Sequence, residues 1–462
     1  MNATPRRHVF GAVSAVLVIG VLLAASTGAV SASSPSSSAP VTLTLHLGPA
    51  GTQPADFWGM DFLADKNPGP NPAALIDKTP TTLLVYPEAN ATERMNLTSG
   101  LMYGVGHASK AVIPLQKFIA DCKAMPCHAV IGLPMEIDSP STDAYEAHYI
   151  VDTLKFSPEY FLYGNEPAHW YCFGVSWAAL AAGHACDTGN TTPTAFANET
   201  EAAIQAVTAA LGGQGVPPAM CLGGSGQQGS PPEIKWIQAL EANAYDATAC
   251  AAYAMHSHPA HSQTVLPTLA NFYATLTGPE GMAASYQNAS NATGGRPLYM
   301  TEVGAFTRHS VFTPVFKGTW AMDVLEAALV VQSMQNRLPD MAWWAWALGG
   351  KDALYDHGNT TTFYSIYSTL FSKLGTTWRA SQYHGQLGVF AESTKTGTGW
   401  SLLIVSTNIT QTYHISIRGN GLSLTGCGTL YTWTSTGDVK QSLCNLRAGF
   451  TLPAQSVVMV TG

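Results

Sequence analysis

Between Asp56 and Lys373 the sequence repeats one pattern: a short apolar run rich in β-branched or aromatic residues, a loop, then a longer amphipathic stretch. The strand-like runs fall at Phe57–Leu63, Thr82–Tyr86, Ala129–Leu133, Tyr160–Gly164, Ala219–Gly223, Ala251–His256, Pro297–Thr301 and Ala342–Ala347. Helical periodicity is clear over Val112–Ala124, Asp143–Leu154, Thr194–Leu211, Glu233–Ala244, Val265–Leu276 and Lys317–Gln335, with Asp143 and Thr194 in cap-like places. Eight strands alternating with helices predict a closed parallel (β/α)8 barrel, a TIM barrel, rather than an open sheet.

After Trp378 the texture changes to short alternating runs, at Gly388–Glu392, Trp400–Ser406, His414–Arg418, Leu430–Thr434 and Ser456–Val460, parted by turns such as Gly419-Asn420-Gly421. They predict a C-terminal antiparallel β-sandwich, and the alternating segment Val41–His46 is expected to add a strand to it. The expected organisation is a signal peptide over 1–32, a Ser/Pro linker over 33–40, an N-terminal strand segment over 41–55, the barrel over 56–378 and the sandwich over 379–462. Arg6 and Arg7 before the apolar run Val9–Ala25, with Val30-Ser31-Ala32 as a cleavage site, carry the signal reading; the rival is an uncleaved anchor. No integral span is expected in the mature chain.

Export agrees with eight cysteines, for which sequence neighbours suggest the bonds Cys122–Cys127, Cys172–Cys186, Cys221–Cys250 and Cys427–Cys444. Eight N-x-S/T sequons, from Asn90 to Asn408, fit a glycosylated secreted protein. Only 11% of residues are charged and the net charge is −8, with 21 Lys+Arg and no basic run, which argues against a nucleic-acid partner. So low a charge suits an acidic medium or a glycan-covered surface. The oligomeric state is not legible.

Chemistry in such barrels sits where strands end at the C-terminal face. There the fourth strand runs into Gly164-Asn165-Glu166-Pro167, and the seventh into Thr301-Glu302-Val303-Gly304. Two carboxylates at one rim are what glycosidic cleavage uses: Glu166 as acid/base, with a pKa expected to be raised by its neighbour, and Glu302 as nucleophile. Asn165 is placed for a sugar 2-hydroxyl. His256 and His258, two apart at the end of the sixth strand, share a face; one can hold the nucleophile and one can touch sugar. A metal on this pair is the alternative, but no further His or Cys stands at ligand spacing, so neither metal nor cofactor is expected. Trp343, Trp344 and Trp346 make the eighth strand aromatic, with Trp346 a stacking candidate. His169 and Trp170, in the loop after Glu166, are further cleft candidates; Asp61, Glu88 and Glu136 could bind hydroxyls, though their plainer reading is structural or exposed.

This order of motifs resembles the clan A retaining glycoside hydrolases, and best of all family 79, which holds β-glucuronidases and heparanase-type enzymes. The resemblance rests on Gly164–Pro167, Glu302, the His-rich sixth strand and the layout of Gly349–Leu374. It implies a barrel with a β-sandwich fed by the N-terminal segment. The chain departs from that family in Leu84-Val85-Tyr86-Pro87-Glu88 at the second strand, and in Gly350-Lys351-Asp352, where Asp352 would repel a uronate while Lys351 or Tyr355 could bind one. The resulting expectation is a secreted, exo-acting, β-glucuronidase-like hydrolase of oligo- or polysaccharides. The alternatives are an endo-acting hydrolase (heparanase- or hyaluronidase-like, or of a neutral glycan), a non-catalytic glycan-binding protein and a surface adhesion protein.

Overall fold

The computed structural model describes residues 41–462 except 53–56, 63, 65–80, 88–93, 105–106, 125–126, 138, 171–190, 214, 225–229, 306–309, 345–353, 357–358, 376, 383–387, 397–398 and 420–425. The expected signal and linker segments, Glu88, Cys172, Cys186, Trp346, Lys351 and Asp352 therefore lie outside the described residues. No helix among the described residues is long and apolar enough to cross a membrane.

Eight parallel strands close into a barrel in chain order: Trp58–Asp61, Leu83–Tyr86, His128–Leu133, Tyr160–Asn165, Ala219–Gly223, Cys250–Ser257, Leu298–Val303 and Met341–Trp343, the eighth pairing with the first. The eight apolar runs of the sequence are these strands. Side-chain alternation sorts them by size. The barrel interior takes Leu83, Val85, Val130, Leu162, Met220, Ala252, Ala254 and Ala342, while Tyr86, Phe161, Tyr163, Tyr253 and Trp343 point outward under the helices. Gly59 lets the first strand close on the eighth, since a Cβ there would meet Ala342 Cα at 2.9 Å.

Two helices start earlier than their sequence pattern suggests. Pro140 and Pro193 occupy the first turn, so the caps are Ser139 and Thr192, not Asp143 and Thr194; Thr192 accepts a hydrogen bond from the Ala195 amide. A three-stranded insertion between the second and third barrel strands, Met95–Asn96, Leu101–Gly104 and His107–Lys110, has no counterpart in the sequence reading.

Of the remaining strands, Tyr355–Asp356 pairs with Asn359–Thr360 and the other nine form one sheet. Val41–Thr52 is part of it, parallel to Tyr413–Gly419 and antiparallel to Thr377–Gln382. One side chain set, including Leu43, Leu45, Leu402, Ile404, Ile415 and Phe450, makes a core of its own, so the sheet's halves pack on each other as a sandwich. The opposite set, Phe390, Leu403, Val405, Val457 and Met459, joins the barrel core. Between the two lies helix Trp320–Gln335, buried on all sides from Ala321 to Met334, which explains why its sequence is apolar all round. Trp320 Nε1 donates to Gln455 O at 2.7 Å and Gln335 Nε2 to Ala391 O at 3.0 Å across the junction. Strand Gly437–Cys444 escaped sequence reading because it is an edge exposed on both faces and so has no apolar alternation; Cys444 ties it to Cys427. Cys122–Cys127 and Cys221–Cys250 are also bonded.

Burial pushes two carboxyl groups up to about 7: Asp246, whose oxygens have no hydrogen-bond partner among the described residues, and Asp323. The folded chain then holds protons that the unfolded chain, with carboxyls near the usual 3.8, has lost. Stability therefore falls as pH rises from about 4 to 7. Thermal unfolding should show a higher Tm at pH 5 than at pH 8. Asp246→Asn should raise Tm more at pH 8 than at pH 5. Equal Tm at both pH values in the wild type would contradict this account.

Candidate active site

The barrel rim is laced by backbone hydrogen bonds running from strand end to strand end. Glu166 N donates to Gly224 O (3.1 Å), Gly224 N to Ala254 O (3.3 Å), Gly304 N to Ser257 O (3.1 Å) and Trp344 N to Val303 O (2.7 Å). Glycines make this possible. Gly164 (φ +80°) turns under Phe196 and Trp170, and Gly224 (φ +77°) lies against the His256 ring, where a Cβ would come within 2.5 Å. Glu166 itself is left-handed (φ 43°), a strained state that the rim bond and the following turn hold in place.

Strict alternation would turn Glu302 outward with Leu298 and Met300. A bulge prevents this: Met255 pairs with Met300, but His256 pairs with Glu302, so Thr301 is the extra residue and Glu302 is re-aimed inward. The result is a compact cluster. His256 Nδ1 lies 3.2 Å from Glu166 Oε1 and 3.5 Å from Glu302 Oε2, and His258 Nε2 lies 2.6 Å from Glu302 Oε1. One atom each of Glu166, His256 and Glu302 lie within 4.8 Å of one another. Such donors also suit a divalent ion, but His256 Nδ1 is directed at both carboxylates, and an Nδ1 that carries the linking proton has no lone pair for a metal. The arrangement is a hydrogen-bonded pair of carboxylates bridged by imidazole. His169, half-exposed, approaches the other Glu166 oxygen at 3.6 Å.

Burial works to raise the Glu166 carboxyl, but the hydrogen bonds and positive charge of His169 and His256 outweigh it and hold the group below the ordinary carboxylate range. The upward shift expected from the Glu302 charge is absent because two imidazoles stand around Glu166, one of them between the carboxylates. The Glu166 hydrogen bond in turn raises His169 above its ordinary value, against burial and the His256 charge.

Other expected site residues separate into two groups. Asn165 is fully buried next to Glu166, with neither amide atom hydrogen-bonded among the described residues; Gly223 leaves room for it. Trp344 meets His258 edge-on at 6.2 Å between ring centroids. Asp61 ends the first strand, fully buried. Trp170, by contrast, is no cleft residue: it is fully buried, its indole N–H held by Asn165 O at 2.7 Å and its ring against Phe196, so it braces the motif from behind. Tyr355 is 1% exposed and packs on Tyr364, so it belongs to the core rather than to an open groove. Glu136 is spent on a buried ion pair with Arg94 at 2.7 Å. Trp343 packs outward on Phe363 and Tyr367. Sequence reasoning missed Gly224; the run Gly223-Gly224 at a strand end was the available signal.

The sequence matches no protein-family model and no curated protein. Solved structures do match in fold. A family 51 arabinofuranosidase from Xanthomonas axonopodis pv. citri superposes with a TM-score of 0.67 at 14% identity, over 91% of this chain and 99% of that one. AbfB, a family 51 α-L-arabinofuranosidase from Bifidobacterium longum, gives 0.69 at 13% identity, over 92% and 100%. A family 44 xyloglucanase from Paenibacillus polymyxa gives 0.67 at 10% identity, over 91% and 99%. The barrel with its β-sandwich is thus a fold that these glycoside hydrolases of families 51 and 44 share with this chain over 91–92% of its length.

Gly224→Ala tests the rim. It adds a Cβ at a left-handed position against His256 and should cost about 1–3 kcal/mol, read as a clear drop in Tm. An unchanged Tm would show that the rim yields without strain.

Proposed function

We propose that the chain is a retaining glycosidase in which Glu302 attacks the anomeric carbon and Glu166 protonates the leaving oxygen, then activates water. The observation that carries this reading is the approach of the two carboxylates, oxygens within 4.8 Å at one barrel mouth. Retaining enzymes hold the pair about 5–5.5 Å apart, whereas inverting enzymes need about 6.5–9.5 Å for an intervening water. The buried, unpaired Asn165 amide supports a contact to the sugar 2-hydroxyl, because an unsatisfied amide costs free energy that a ligand's hydroxyl would recover. His258 orients Glu302, and Trp344 offers an aromatic edge beside it. The fold likeness to arabinofuranosidases and xyloglucanases agrees with carbohydrate as substrate.

The sugar we favour is a β-glucuronide, cleaved from the chain end, on the family 79 resemblance; with Tyr355 in the core, recognition of the carboxylate would fall to Lys351. The fold neighbours support a second reading, a neutral glycan of the kind that arabinofuranosidases or xyloglucanases cleave. The N-terminal apolar run and the disulfides support a secreted enzyme.

A panel of nitrophenyl glucuronide, glucoside, galactoside, xyloside and arabinofuranoside decides the sugar, and should show one clear preference. Glu302→Gly should abolish turnover. Glu166→Ala should cost about 10²–10⁴-fold on poor leaving groups and much less on dinitrophenyl substrates, which need little protonation. Equal loss on every leaving group, or no turnover by the wild type on any of the panel, would refute the assignment, the latter in favour of a glycan-binding protein.

A further inference from the structure

We propose that His169 is a proton relay to Glu166, a solvent-facing imidazole that supplies the proton Glu166 passes to the leaving group and accepts one back in the second half-reaction. This rests on the reading of Glu166 as acid/base. The local backbone places the ring. Pro167–His169 is a single 3₁₀ turn with Glu166 as its cap, and His169 N donates to Glu166 O at 2.8 Å. With three residues per turn, positions i and i+3 eclipse, so the imidazole stands over the carboxylate. Its Nδ1 is 3.6 Å from Oε2, while Oε1 faces His256 Nδ1 at 3.2 Å. Each carboxylate oxygen thus has its own imidazole.

The two imidazoles differ in access. The His256 side chain is 3% exposed and also faces Glu302; that of His169 is 47% exposed. Of these two imidazoles, His169 is the one open to water beside Glu166. The groups facing this pair are His256 from the sixth strand and, beyond it, Glu302 held by His258; no lysine or arginine pairs with Glu166 or His169 among the described residues. At rest Glu166 is ionised and the dissociable proton sits on the imidazole, so the proton belongs to the pair. In glycosylation the proton passes from His169 to Glu166 and on to the leaving oxygen as the C1–O bond breaks and Glu302 bonds to C1, which leaves Glu166 ionised and His169 neutral. In deglycosylation water bonds to C1, the Glu302 bond breaks, and the water proton passes through Glu166 to His169. The sum is addition of water across the glycosidic bond.

The pair loses its working proton at the His169 pKa, so the alkaline limb of kcat/KM should lie above the imidazole's ordinary value of about 6.5. His169→Gln should move that limb at least about one pH unit toward acid for poor leaving groups, and should leave dinitrophenyl substrates unmoved. A lower kcat/KM with the limb in place overturns the relay. A measurement without turnover checks the coupling: by imidazole NMR, His169 should titrate above about 6.5 in the wild type and fall in Glu166→Gln. An unmoved His169 also overturns it. Turnover with no coupling removes the relay alone; absence of turnover on any glycoside removes the reading it rests on, and the relay with it.

Discussion

Two carboxylates do not share a mouth this narrow unless something donates to both, and here that group is His256. Its Nδ1 faces Glu166 on one side and Glu302 on the other, in a place almost closed to solvent. The rest of the barrel rim follows from that contact. Gly224 has no side chain because the His256 ring occupies the space, and the strand-end hydrogen bonds through Gly224 and Gly304 hold fourth, fifth, sixth and seventh strands at the spacing the contact requires. Like charges so close would otherwise force one carboxyl to stay protonated. With imidazoles on both sides of Glu166, the cluster keeps that carboxylate ionised and stores the proton on nitrogen.

The same contact explains where the fold spends irregularity. Apart from register shifts between the fifth and sixth strands, the barrel wall is regular, with most of its aromatic side chains facing the helices. Departures gather at the rim: a left-handed glutamate, a left-handed glycine against a histidine, and a bulge that turns Glu302 round. Away from the rim the chain is stiffened by packing. The helix Trp320–Gln335, with no solvent face over most of its length, fixes the sandwich to the barrel and leaves the opposite strand ends free for chemistry.

Much of this was legible in the sequence, for identifiable reasons. Barrel strands are apolar on both faces, so short β-branched or aromatic runs marked them all. Gly164-Asn165-Glu166-Pro167 stood out because a strand ending in Asn-Glu has few structural uses. What could not be read depended on contacts between distant residues. Alternation alone points Glu302 the wrong way; only the pairing with His256 shows the bulge. In sequence Trp170 reads as a cleft candidate and Tyr355 as a partner for a uronate, but an aromatic ring near a motif can as well be packed beneath it. The direction of the Glu166 pKa followed from His256 folding against it from the sixth strand and from the turn that sets His169 over it. The edge strand Gly437–Cys444 carries no apolar alternation and so left no trace.

The account depends on Glu302 forming a bond to sugar while Glu166 waits at its side. A 2-deoxy-2-fluoro glycoside with a dinitrophenyl leaving group, of whichever sugar the chain prefers, would accumulate that intermediate. Mass spectrometry of the digested, inactivated protein should find one sugar on the peptide containing Glu302. A label on any other residue, or a product of inverted anomeric configuration with no label at all, would contradict it.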